Sequence, residues 1–236
     1  MMESNTSKRT ARTAGGVYLV LVLTGIFSLA YVPNRLIVEN NPSETYSNII
    51  AYESLFRWGI VAGIVMYLAF LLLPLILYRL LGSVNKNIAT LMVAWAVVSV
   101  PISLINLSHK FAVLTWIEQA DYLHVFDISQ RQAQVFLHLE YYSNGIKIAS
   151  VFWGLWLLPF GYLVFRSGFL PKILGVFLML GCFGYLINFM GGFLVEGYYD
   201  LGMARFISLP ASIGEIGTCL WLVVVGRKTP TSQIEK

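Results

Sequence analysis

The sequence predicts an all-α, polytopic membrane protein with six transmembrane helices in one bundle, both termini cytoplasmic, and the second and fourth helices extended on the outer side. Three observations carry that expectation. Hydrophobic residues make up 57% of the 236 and charged residues only 12%, where about a quarter of an ordinary soluble domain is charged. The apolar residues gather into six runs, each long enough to cross a hydrocarbon core of ~30 Å. Lys and Arg collect in alternate gaps between those runs, which is the charge asymmetry of a multi-pass topology. Residues 1–13 read as an N-terminal tail, 14–226 as one transmembrane domain and 227–236 as a C-terminal tail.

The first run, Ala14 to Val32, follows Lys8, Arg9 and Arg12 as a signal peptide would, but it is too long for a signal core. It continues into Tyr31-Val32-Pro33-Asn34 in place of a small-residue cleavage site, so it reads as a span. The second, Trp58 to Tyr78, has a helix start as far back as Pro42-Ser43, and the spacing of Ile49, Ile50, Glu53 and Arg57 keeps one helical face going into the membrane. Within it Gly59 and Gly63 form a GxxxG pair suited to close packing inside the molecule. The third is Ile88 to Leu107. The fourth contains Ile146 to Val164, and Ser129 with Gln132 fits a capping box that would start a helix near Gln130 and run it to Phe165, roughly 54 Å. Gly145 is the weak point in that helix. The fifth is Ile173 to Val195 and the sixth Phe206 to Gly226. All are apolar on nearly every side, and in hydrocarbon only helices satisfy the backbone of such segments.

Orientation follows from the cations. Lys8, Arg9 and Arg12, then Arg79 and Lys86, then Arg166 and Lys172, then Arg227 and Lys228 share one side if six helices cross, and Glu39, Glu44, Glu118, Asp121, Asp127, Glu196 and Asp200 lie on the other. The positive-inside rule puts the cationic side in the cytosol of a cell membrane. The net charge of +4 is spread over four edges and forms no nucleic-acid-binding face. Cys182 and Cys219 fall inside spans and read as inert packing residues.

Glu215 stands out. It lies twelve residues before Arg227 in the sixth run, roughly 18 Å from one face of the membrane, where an ionisable group reads either as a ligand, ion or proton site or as a protonated hydrogen bond between helices. Counting from the cationic edges, Arg57, Asn106, Lys147 and Asn188 fall higher, roughly 24 to 33 Å up. Together with Glu53, Glu140 and Asn144 they would wall an outward-opening polar funnel with Glu215 as its floor. Glu140, Asn144 and Lys147 share one helical stripe at i, i+4 and i+7. His109 belongs to the same layer, and His138 with it. They are weak metal candidates, because His138 and Glu140 are two residues apart and point to different sides of a helix, and no HExxH occurs. No cofactor motif, phosphate-binding glycine loop or GxSxG elbow is present.

Longer stretches carry a family resemblance. Tyr52-Glu53-Ser54-Leu55-Phe56-Arg57-Trp58-Gly59-Ile60-Val61 is one; Tyr78-Arg79-Leu80-Leu81 with Val84-Asn85-Lys86-Asn87 is another; Val100-Pro101-Ile102 with Asn106 is a third. The most specific is Phe152-Trp153-Gly154-Leu155-Trp156-Leu157-Leu158-Pro159, continuing to Ser167-Gly168-Phe169-Leu170-Pro171-Lys172-Ile173-Leu174-Gly175. From about Arg9 to Gly226 the chain resembles a bacterial membrane family catalogued as domain of unknown function 4386. The resemblance implies a multi-pass protein of a bacterial cytoplasmic membrane and no particular activity. Where members often have a His-Asn-Tyr-Gly-like stretch, this chain reads Tyr142-Ser143-Asn144-Gly145.

The expected function is binding of a small molecule, lipid or ion through the funnel, in a transporter-like module or a sensor, with membrane lipids as the surrounding partners. Two alternatives from other classes are a membrane-embedded enzyme using Glu215 or the histidines, and a structural or partner-binding protein.

Overall fold

A computed structural model describes residues 2–118 and 120–226, with side chains from Lys8 onward. The Arg227-Lys228 pair and the tail 227–236 lie outside the described residues. Helices are the regular structure throughout the described residues: α1 (Met2–Gly25), a π-helical turn (Ile26–Tyr31), α2 (Val32–Leu36), α3 (Pro42–Ala51), α4 (Glu53–Leu81), α5 (Lys86–Asn106), α6 (Ser108–Ile117), a 3-10 turn (Asp121–Leu123), α7 (Ile128–Arg166), α8 (Lys172–Leu194) and α9 (Met203–Val224). Among the described residues six helical stretches are long and apolar enough to cross a membrane, namely Lys8–Leu36, Glu53–Leu81, Lys86–Ile117, Ile128–Arg166, Lys172–Leu194 and Met203–Val224. Each contains or overlaps one expected run.

Local chemistry sets the boundaries. Asn41 caps α3: its side-chain oxygen accepts from Glu44 N at 3.1 Å, and Pro42 supplies a preset φ at the first helical position. The helix expected to run unbroken from Pro42 is interrupted at Tyr52 (φ −122°, ψ 39°) and resumes as α4. The third run continues past Leu107 as α6, whose terminal carbonyls are taken by Arg131, donating to Trp116 O at 3.1 Å and to Glu118 O at 3.1 Å.

The cap of α7 differs from the expected Ser129/Gln132 box. Asp127 is the capping residue: its carboxylate accepts from Gln130 N at 2.8 Å and from the Ser129 hydroxyl at 2.6 Å, while the Gln130 side chain accepts from Asp127 N at 3.0 Å. A carboxylate outcompetes a hydroxyl for the helix N-terminus, which leaves Gln132 to donate to Ser43 Oγ at 3.2 Å. The Ser129 hydroxyl and then the Gln130 amide hold the exposed Asp127 carboxyl below its ordinary value near 3.8. A depressed folded-state pKa contributes stability that is present above the unfolded value and lost as pH falls through the folded one. Protection of the Gln130 amide, relative to its intrinsic exchange rate at each pH, is therefore expected to be present at neutral pH and lost below pH 3.8, and Asp127→Ala should lower it at neutral pH as well. Unchanged protection in that variant would remove Asp127 as the cap.

The described chain packs as two compact units. One gathers residues up to Val20, Ala69–Val100 and Ile148 onward; the other gathers Leu21–Leu68 and Pro101–Lys147. In the first, Trp156 is buried, stacked on Phe160 at 4.9 Å and edge-on to Phe70 at 5.1 Å. Trp156 is thus a packing residue of this unit. Small residues let backbones meet there: a Cβ on Gly161 would come within 2.6 Å of Gly175 O, and Gly181 faces the Ala211 backbone across α8 and α9. Cys182 and Cys219 are buried and free.

In the second unit the GxxxG pair of α4 packs on the first spanning stretch. Gly59 faces Val32, and Gly63 faces Ser28, whose hydroxyl donates to Gly59 O at 2.8 Å. The pair therefore serves packing within the chain. Val32, Leu36, Ile49, Phe56, Val113 and Leu139 belong to one apolar cluster, so α3 and α6 are part of the core of this unit.

Candidate functional site

The second unit contains a cavity of about 200 Å³. Leu29, Val32, Pro33, Leu36 and Ile37 line it from the first spanning stretch and Phe56 from α4, with Leu139, Tyr142, Ser143 and Ile146 coming from α7. Lys110, on α6, completes the wall. The lining is aliphatic and aromatic except at Lys110, Tyr142 and Ser143.

Lys110 is only 3% exposed, and its Nζ sits over the Tyr142 ring, 4.2 Å from the centroid. Among the described residues the ion pairs fall elsewhere, on Arg57 with Glu53 and Glu118 and on His124 with Asp121. Removing an ammonium from water costs several kcal/mol even after relaxation, and a cation–π contact returns about 0.5 to 2 kcal/mol. Tyr142 alone does not offset the burial, which leaves Lys110 short of an anion.

Tyr142 is held at its backbone. The Asn106 carboxamide donates to Tyr142 O at 2.9 Å, and the Tyr142 phenol lies within electrostatic range of the Tyr67 phenol. Asn106 is 7% exposed and lies against Gly145, where any Cβ would overlap its side chain. Gly145 does not break α7, which runs unbroken through it. It makes room for Asn106.

The other residues expected to wall a funnel are held in separate groups. Arg57 Nε pairs with Glu53 at 2.6 Å, and Arg57 reaches Glu118 at 3.7 Å, all largely exposed. Lys147 Nζ donates to Asn144 at 3.2 Å, and Glu140 is exposed on the same helix. His109 and His138 approach Nδ1 to Nδ1 at 3.4 Å beside the Tyr141 ring; among the described residues no third His, Cys, Asp or Glu joins them. Of the expected set, Asn106 alone touches the cavity's frame.

The first unit holds the other two. Asn188 joins α8 to α9, its Nδ2 donating to Ser208 Oγ at 2.8 Å and to Ala204 O at 3.1 Å while its oxygen accepts from the Tyr198 hydroxyl at 2.7 Å. That is a structural bracket. Asn188→Ala is expected to cost about 1 to 2 kcal/mol, read as a lower unfolding midpoint in mixed micelles; an unchanged midpoint would deny the bracket a stabilising role. Glu215 lies near the middle of α9, partly buried, within electrostatic range of the Tyr18 and Tyr185 phenols. The Tyr18 hydroxyl is buried without a hydrogen-bond partner among the described residues, and Gly154 on α7 gives Tyr185 its place.

Sequence reasoning named His109 and passed over Lys110 beside it. The available signal was a cation flanked by Phe111, Ala112 and Val113, with no acid at helical spacing within α6.

The model of a family described as Domain of unknown function (DUF4386) matches residues 13–226. The chain belongs to that family. An "Uncharacterized protein" of Archaeoglobus fulgidus is 34% identical over 84 residues, which are 35% of this chain and 47% of the relative, so the match spans about half of the relative's length. No solved structure matches. Six membrane-length apolar helices and the family together make this a multi-pass membrane protein of DUF4386.

Proposed function

We propose that this protein binds a small lipid-like molecule in the cavity of its second unit, as a transporter-like module or a sensor of the cell membrane. One observation carries the reading: an apolar cavity with a buried Lys110 in its wall that no acid among the described residues pairs with. Apolar walls with one or two placed polar groups are how small-molecule sites are built. Cytoplasmic termini fit the same picture. Arg79 and Lys86 flank the α4 to α5 connection, Arg166 and Lys172 the α7 to α8 connection, and these edges would face the cytosol with Lys8, Arg9 and Arg12. Lys110, 24 residues beyond Lys86, is then roughly 36 Å along the span, at the outer headgroups. In this reading Glu215 is a separate polar anchor of the first unit, and a role for it in ligand or proton binding is part of the proposal.

Gently purified protein examined by native mass spectrometry should carry a small non-protein mass. Ile146→Trp, which puts an indole into the cavity, should lose that mass while remaining folded. Wild-type protein free of any bound molecule, and unaffected in thermal stability by a panel of single-chain amphiphiles, would overturn the reading.

A further inference from the structure

We infer that the occupant of this cavity is a single-chain aliphatic carboxylate whose head pairs with Lys110 Nζ, an inference that rests on the cavity being a ligand site. Four features of the wall select that chemistry.

The first is charge. Lys110 is 3% exposed, faces the Tyr142 ring at 4.2 Å, and has no carboxylate of the described chain in ion-pair range. A buried lysine of this kind keeps its charge only where an anion complements it, and no acid of the described chain does so. The second is valence. One lysine balances one negative charge, and a compact ammonium makes a point contact; the wall has no arginine fork that would take a dianionic phosphate in bidentate fashion.

The third is shape. At about 200 Å³ the cavity is smaller than the roughly 300 to 1,000 Å³ of sites for drug-sized ligands, so it takes one narrow chain and not a two-chain lipid. The fourth is polarity along the wall. Leu29, Val32, Leu36 and Phe56 offer only hydrocarbon to the tail, and Ser143 adds a hydroxyl as a further partner for a head group.

The test uses the full-length protein in nanodiscs of a neutral lipid, with decanoate, 1-decanol and decyl phosphate as probes, read by thermal shift and native mass spectrometry. Decanoate is expected to bind wild-type protein more tightly than 1-decanol does. Lys110→Met should weaken decanoate by about tenfold or more and change 1-decanol by less than about twofold. Ile146→Trp, which keeps Lys110 and fills the space, should lose both. Equal binding of decanoate and 1-decanol to the wild type, or undiminished decanoate binding to Lys110→Met, overturns the carboxylate while leaving the cavity as a site. Decyl phosphate binding tighter than decanoate overturns it in favour of a phosphate head. Failure of every probe, with no co-purifying mass, overturns the cavity reading itself.

Discussion

Gly145→Ala is expected to cost about 2 to 4 kcal/mol, although it replaces the second-worst helix former with the best in the middle of a 39-residue helix. Propensity alone would stabilise by about 1 kcal/mol. Against it stands the Asn106 carboxamide, which already occupies the volume of the missing Cβ and donates to Tyr142 O at 2.9 Å. The methyl group must push that side chain away, and overpacking of this kind costs about 1 to 3 kcal/mol. Displacing Asn106 also leaves a buried amide without its acceptor, a further penalty of about 1 to 3 kcal/mol. The two unfavourable effects together exceed the propensity gain. Unfolding in mixed micelles provides the measurement, with Gly16→Ala as its control, since a Cβ at Gly16 meets nothing within 4 Å. That control should be neutral or slightly stabilising. Adding Asn106→Ala to Gly145→Ala should recover much of the loss, because the double change removes the clash. A stable Gly145→Ala protein, or a double variant worse than both singles, would mean that the packing of Asn106 on Gly145 is not what the second unit depends on.

Lys110→Met is expected to behave in the opposite way in ligand-free protein. It replaces a buried cation by an apolar chain of similar length. Such changes are often neutral or stabilising by about 1 to 4 kcal/mol when the charge had no good partner. Thermal unfolding of delipidated protein should therefore show Lys110→Met at or above the wild type. Loaded protein should reverse the order, because a ligand that binds only the folded state adds stability that grows with the logarithm of its concentration relative to its Kd. The crossover separates a binding lysine from a structural one. Were Lys110 a structural element satisfied by Tyr142, the substitution would lower stability in both conditions, through loss of the cation–π contact.

The placement of Gly145 and Lys110 shows where sequence reasoning reaches and where it stops. Composition, the six apolar runs and the alternating cations settled membrane class and helix number, because hydrocarbon imposes the same rule on every spanning segment: its backbone must be satisfied within itself. The GxxxG pair was legible as packing for a related reason, since small residues four apart give a helix face that only a close neighbour fills. The cap expected at Ser129 lies two residues earlier, at Asp127, whose carboxylate accepts both the Gln130 amide and the Ser129 hydroxyl.

The candidate site was much less legible. Counting depth along single helices grouped Asn106, Arg57, Lys147 and Asn188 by height, but height says nothing about which way a side chain turns about its helix axis. That angle is set by neighbours: Asn188 turned to Ser208 and Tyr198, Arg57 to Glu53 and Glu118, and Asn106 to the gap at Gly145. The sequence by itself determined how many apolar helices form and roughly where each lies, while their exact ends at Tyr52, Leu107 and Asp127 came from local contacts. Only the tertiary structure decided that a lysine on α6 should close a cavity built from three other parts of the chain, because a cavity is the space that packing leaves over and no single helix contains it.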